Sequence, residues 1–224
     1  MQKIQAIIDR LLHFEPIQYI FGHTIWNGLD LLVTPATLIP RPETAELVER
    51  TNQKSKILNL KSQIHVLDVG TGSGCIAISL KKAHPEWQVT SIDISPQAIE
   101  VAKENAKRNG VEVDFKVADI FDFNGDFDSI VSNPPYICES EKVSMRPNVL
   151  NYEPASALFV PDNDPLRFYR RIAELKLGKF LFFEINEAYP NELSAMLSEL
   201  GYTDIIVTND IYGKPRIIEA RMVR

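Results

Sequence analysis

Cysteine and histidine are scarce: the 224 residues include only Cys75, Cys138 and 4 histidines. Two cysteines cannot build a disulfide framework, and no Cys/His group has metal-ligand spacing. The chain therefore reads as metal-free and suited to a reducing compartment, which implies the cytoplasm. Long apolar runs are missing too. None approaches the ~18 residues that cross a bilayer, and Met1-Gln2-Lys3-Ile4-Gln5 lacks the apolar stretch of a secretory leader, so no membrane contact is expected. Positive charge is not in excess either, with 24 Lys plus Arg against 30 Asp plus Glu and a net charge of −6. Binding to a phosphate backbone rests on clustered cations, so a direct nucleic-acid partner is disfavoured. Residues 93–132 sharpen the point, with nine acids and four bases. A cleft lined by this segment would be a poor groove for DNA.

What is present is a regular alternation. Ile4, Ile7, Ile8, Leu11 and Leu12 recur at helical spacing and predict an amphipathic helix over 3–13. Thr24-Ile25-Trp26 and Leu29-Asp30-Leu31-Leu32-Val33 flank Asn27-Gly28, a strong hairpin signal. Pro42 suits the first position of a helix over 42–53, with Leu47 and Val48 inward. From residue 64 strands and helices alternate. Strands are expected over 64–69, 87–92, 111–117, 129–132 and 179–184, and helices over 76–83, 95–109 and 190–200. A final strand pair, 203–208 and 216–222, flanks Tyr212-Gly213. This pattern predicts a doubly wound α/β fold, mostly parallel with an antiparallel end. Residues 1–36 read as a helix plus hairpin connector, and 37–224 as the main domain.

Two stretches carry chemistry. Gly70-Thr71-Gly72-Ser73-Gly74 follows a strand and opens a helix. Glycines there let the backbone turn tightly against a ligand with free N–H groups facing it. Asp93, ending the next strand, can accept both hydroxyls of an adenosine ribose, or it can simply cap the helix at Ser95. Asp119 and Ile120 would flank an adenine, as acceptor and apolar face, although Asp119 also reads as an ordinary loop acid. The cofactor could be a dinucleotide or S-adenosylmethionine, but Gly-x-Gly-x-Gly departs from the dinucleotide spacing Gly-x-Gly-x-x-Gly.

The second stretch is Asn133-Pro134-Pro135-Tyr136, leaving a strand expected beside the first. Two prolines cannot continue a sheet interior, so the tetrapeptide is a stiff corner. It could be a plain strand stop with a packing tyrosine. It could also be a site, with Asn133 beside the cofactor as well as the acceptor. The Asn133 side-chain oxygen and a proline carbonyl can each accept one hydrogen of a planar –NH2 group, while Tyr136 stacks on that group.

Together these stretches resemble the class I S-adenosylmethionine-dependent methyltransferases (a Rossmann-like seven-stranded sheet with an antiparallel last strand) that act on planar –NH2 groups. Five segments are more specific. They are Phe14-Glu15-Pro16-Ile17-Gln18-Tyr19-Ile20-x-Gly22, Leu38-Ile39-Pro40-Arg41-Pro42-Glu43-Thr44, the glycine turn with Asp68-Val69, the tetrapeptide with Ser132 and Ile137 on either side, and Tyr152-Glu153-Pro154. These are similar to the PrmC/HemK family of peptide chain release factor glutamine methyltransferases. The resemblance implies N5-methylation of the glutamine in the Gly-Gly-Gln motif of release factors, with S-adenosylhomocysteine as the other product. It assigns Gly70, Thr71, Gly72, Ser73, Gly74, Asp93, Asp119, Ile120 and Asn133 to the cofactor. Asn133, Pro134, Pro135 and Tyr136 fall to the substrate and the catalysis, and Arg41 and Glu43 to bracing the cleft. The chain departs from the family in having one helix before Phe14 where a multi-helix domain is usual. It also departs at Asp164-Pro165 and at Glu184-Ile185-Asn186. The alternatives are an exocyclic-amine methyltransferase of the N6-adenine type acting on nucleic acid, or a cofactor-binding domain with little activity.

Overall fold

The carboxyl ends of two neighbouring parallel strands define this molecule, a computed structural model that describes residues 2–57 and 63–223. The helix α1 (Gln2–Leu12) and the short α2 (Ile17–Phe21) precede a hairpin of β1 (His23–Trp26) and β2 (Leu29–Leu32). Next come α3 (Pro42–Ile57), β3 (His65–Val69), α4 (Cys75–Ala83), β4 (Gln88–Asp93), α5 (Pro96–Arg108), β5 (Asp114–Val117) and β6 (Phe127–Ser132). A two-residue strand β7 (Ile137–Cys138), the single turn α6 (Pro147–Leu150) and β8 (Phe159–Val160) follow, with β7 and β8 paired in parallel. The chain ends with α7 (Arg167–Leu175), β9 (Gly178–Glu184), α8 (Pro190–Glu199), β10 (Tyr202–Asn209) and β11 (Pro215–Met222).

The main sheet runs β10-β11-β9-β6-β3-β4-β5, parallel except for β11, which is antiparallel to both neighbours. The expected sheet, including its antiparallel last strand, is therefore the one formed. Strand order reverses at β3 and β6, whose register sets Val69 beside Ser132. Open α/β sheets bind ligands at such a switch point. One core layer joins Leu47 and Val48 of α3 with Ile76, Ala77 and Leu80 of α4, and it also takes in Trp26, Leu29 and Leu31 from the hairpin. The opposite layer packs Tyr169, Ile172 and Ala173 of α7 and Leu193 and Leu197 of α8 on the sheet.

One expected strand starts later, and two features go beyond the sequence reading. Helix α7 was not legible, because Tyr169, Ile172 and Ala173 are its only buried positions within a run rich in arginine. The strand expected over 111–117 pairs only from Asp114, where the ladder with Thr90 begins. Helix α1 forms, yet it buries none of its residues: Ile4 is 64% exposed and Leu12 71%. Helical spacing reports which face is apolar and says nothing of what covers it. Among the described residues no helix is long and apolar enough to cross a membrane.

Candidate active site

A cleft of about 380 Å³ opens where β3, β4 and β6 end. Its wall includes Gly70, Thr71, Gly72, Ser73, Asp93, Asp119, Ile120, Asn133, Pro134 and Pro135, so the two sequence stretches meet. They face each other closely: a Cβ built on Gly70 would stand 3.9 Å from the Asn133 carbonyl oxygen. Gly74 lies behind the turn. There a Cβ would come within 3.0 Å of Ile78 Cδ1 and 3.1 Å of Ala102 Cβ, so this glycine serves the close packing of α4 on α5.

The glycine turn works differently from the expectation. The N–H groups of Gly70 and Thr71 both donate to the Ile92 carbonyl, that of Gly74 donates to the Thr71 carbonyl, and that of Gly72 donates to Asp93 Oδ2 at 2.9 Å. They are committed within the protein and do not face the cleft as free donors. The turn contributes shape: Gly72, at φ +53°, has no atom within 4 Å of where its Cβ would be. Asp93 also accepts from the Ser95 N–H at 2.9 Å, so it steadies Ser95, the residue that caps α5, and lines the cleft at once. Burial pushes its carboxyl above the ordinary range, against those two donors. Asp119 accepts from the Phe121 N–H through Oδ1. Ile94, Ile120, Phe121 and Phe168 supply apolar wall, with the two phenylalanine rings edge to face at 5.9 Å.

Beneath the turn, Asp68 is fully buried. Its Oδ2 accepts from Thr71 Oγ1 at 3.0 Å and Ser91 Oγ at 2.8 Å, while Oδ1 has no partner among the described residues. Burial pushes this carboxyl up to about 6, with the Asp93 charge adding to the rise and the two hydroxyl donors opposing it.

Behind Asn133 runs a hydrogen-bonded chain of side chains. Asn133 Nδ2 donates to Thr44 Oγ1 at 3.2 Å, and Thr44 Oγ1 donates to Glu184 Oε2 at 2.7 Å. Tyr136 Oη donates to the other Glu184 oxygen at 3.1 Å. Tyr136 does not line the cleft as the stacking expectation required; its ring packs into the core layer under α7. A hydroxyl aimed at a buried carboxylate fixes the ring there, since an unpaired buried charge is costly. Burial raises Glu184 above the usual carboxylate range, while Thr44, Tyr136 and the Arg216 charge favour its anion.

Arg41, expected to brace the cleft, lines it and is held by an ion pair. Its guanidinium meets Glu153 at 2.5 Å, and Glu153 also accepts from the Ile39 N–H at 3.1 Å. Glu43, half-buried in the first turn of α3, has no hydrogen-bond or ion-pair partner among the described residues; it adds to the upward pressure on Glu184. Thr44 and Glu184 were not assigned roles from sequence. The available signal was an acid closing the otherwise apolar run Phe180-Leu181-Phe182-Phe183.

Known proteins share this fold and sequence. Residues 49–150 match the family model described as Methyltransferase small domain. A Bacteroides thetaiotaomicron protein named Release factor glutamine methyltransferase is 46% identical over 228 residues, covering 98% of this chain and 80% of the relative. A Flavobacterium psychrophilum protein of the same name is 45% identical, covering 96% and 78%. Among solved structures, a methyltransferase from Pyrococcus furiosus superposes with a TM-score of 0.62 at 19% identity, covering 100% of both chains. A magnesium protoporphyrin IX methyltransferase from Synechocystis, solved with bound SAM, gives 0.57 at 17%, covering 81% of this chain and 80% of the other. At those identities the structural likeness concerns the fold.

Proposed function

The chain belongs to the release factor glutamine methyltransferase family, and from that premise we propose that its cleft methylates N5 of the glutamine in the Gly-Gly-Gln motif of a peptide chain release factor. The residues present fit S-adenosylmethionine. Asp93 offers carboxylate lone pairs beyond those used by Gly72 and Ser95, the apolar wall at Ile94, Ile120 and Phe121 suits an adenine, and Gly72 leaves open space that a Cβ would fill. The cleft volume falls within the range of small-molecule sites. When bound, S-adenosylmethionine supplies an electrophilic methyl group and leaves as S-adenosylhomocysteine.

The protein's own task is alignment. An amide nitrogen is barely basic, so holding its π face toward the methyl matters more than removing a proton. Asn133 Oδ1 and the Pro134 carbonyl accept the two amide hydrogens, and the double proline keeps those acceptors rigid. Correct orientation is worth up to ~7–11 kcal/mol. The nitrogen gains a methyl and releases one hydrogen as a proton, which alkylation makes acidic. Arg41 and Glu153 brace one wall. The partner is a protein, the working compartment is the cytoplasm, and the catalytic unit is residues 37–224 served by the hairpin ahead of it. The meeting of the glycine turn and Asn133 at one switch point carries this reading. Incubation with S-adenosylmethionine and a release factor, followed by peptide mapping with mass spectrometry, is expected to find one methyl group on the loop glutamine. Methylation at a different residue overturns the proposal.

A further inference from the structure

We propose that Thr44 and Glu184 are positioning residues that fix which end of the Asn133 amide faces the cleft, and thereby make the site select an N–H donor over a carboxylate. This rests on the methyl-transfer reading above.

The available hydrogens fix the direction of every bond in this chain. Glu184 is 1% exposed, and each of its carboxylate oxygens receives a hydroxyl, Thr44 at 2.7 Å and Tyr136 at 3.1 Å. Thr44 is 2% exposed and its hydroxyl has one hydrogen, which is committed to Glu184. Its oxygen can therefore only accept from Asn133, 3.2 Å away, and an amide donates only through its nitrogen. Asn133 is thus held with Nδ2 turned back into the protein, leaving Oδ1 as the atom for the cleft. An acceptor in that place pairs with the –NH2 of a glutamine. It repels a glutamate, whose carboxylate has no hydrogen to give. Were the chain of bonds reversed, the same Asn133 would present –NH2 to –NH2 and reject its substrate.

The test is to reverse the chain deliberately. Asn133→Asp removes the donor to Thr44, so both partners present lone pairs and turnover is expected to fall about 100-fold, the cost of a misplaced reacting group. Adding Glu184→Gln supplies an amide hydrogen to Thr44. The Thr44 hydroxyl can then donate to the carboxylate introduced at position 133, which presents an acceptor to the cleft in both variants but is held in place by a hydrogen bond only in the double one. The double variant is expected to recover about 10-fold over Asn133→Asp alone in kcat, a rise that conversion of a merely structural residue would not produce. Thr44→Val is expected to lower kcat about 10–100-fold, with calorimetric affinity for S-adenosylhomocysteine within about twofold of the parent, and Thr44→Ser to recover most of that loss. A double variant no more active than Asn133→Asp overturns the proposal, as does a Thr44→Val variant that loses cofactor affinity in parallel with kcat. If the unaltered chain transfers no methyl group to any release factor, the methyl-transfer reading itself fails; an active parent with an unrescued double variant overturns the positioning role alone.

Discussion

Asn105 and Leu32 exchange two hydrogen bonds across 73 residues of sequence: Leu32 N–H donates to Oδ1 at 2.6 Å, and Nδ2 donates to the Leu32 carbonyl at 2.9 Å. The side chain thus acts as a short strand, pairing with the hairpin edge as a backbone would. The same Nδ2 reaches the Ser73 carbonyl at 2.8 Å, tying the hairpin to the glycine turn. Replacement by alanine leaves three backbone groups without these partners. Asn105→Ala is expected to cost about 2–4 kcal/mol in urea denaturation and to weaken cofactor affinity measured by calorimetry. An unchanged affinity would remove the link between hairpin and turn.

Gly72 and Gly74 should fail in different ways. Both have positive φ, +53° and +83°, but a Cβ on Gly72 meets nothing, whereas one on Gly74 meets α4 and α5. Gly74→Ala is expected to lose about 2–4 kcal/mol of stability through strain and overpacking together. Gly72→Ala is expected to lose about 1–2 kcal/mol from backbone strain, yet to show the larger drop in cofactor affinity. Thermal melts and titrations on both variants separate the two effects; identical profiles would contradict the geometry.

Asp68 gives a pH dependence with a definite sign. Its folded-state carboxyl titrates at about 6 against an ordinary 3.8, so between these values the folded chain holds a proton that the unfolded chain has released. Stability from this group therefore falls as pH rises through that window. Asp68→Asn cannot ionise. Relative to the unaltered protein it is expected to gain up to about 3 kcal/mol between pH 4 and pH 7, the equivalent of a shift of roughly two units. Urea midpoints for both proteins at each pH provide the check, and a difference that stays constant with pH would refute it.

Arg41 and Glu153 form a pair of unequal burial, with side-chain exposures of 35% and 1%. Removing the cation strands a buried carboxylate. Arg41→Met is expected to destabilise the protein by about 2–4 kcal/mol, somewhat less than for a fully enclosed pair. Adding Glu153→Gln should return part of that loss, because the glutamine can still accept from Ile39. A denaturation cycle over the four proteins measures this, and strict additivity would count against a coupled pair.

The glycine turn, Asp93 and the tetrapeptide were legible because each is a local statement. Positive φ, a strand-ending acid and a proline corner are fixed by residues next to one another in the chain. What the turn does with its N–H groups was not legible, since their acceptors, the Ile92 carbonyl and Asp93, arrive from the next strand. Tyr136 was misplaced for a similar reason. A tyrosine beside a proline corner can turn toward the ligand or the core, and the buried Glu184 decided it.

The alternation of strand and helix, and with it a doubly wound sheet, is written into the residue order, because hydrophobic periodicity and turn chemistry are short-range properties. That order also determines that a Gly-rich turn and an Asn-Pro-Pro corner end buried strands. What stands behind them depends on long-range packing. Thr44 lies 89 residues from Asn133 and 140 from Glu184, and no local signal pairs such positions. They meet because α3 packs its first turn over the end of β9, where a buried carboxylate must find donors. That requirement orders the Asn133 amide at the cleft.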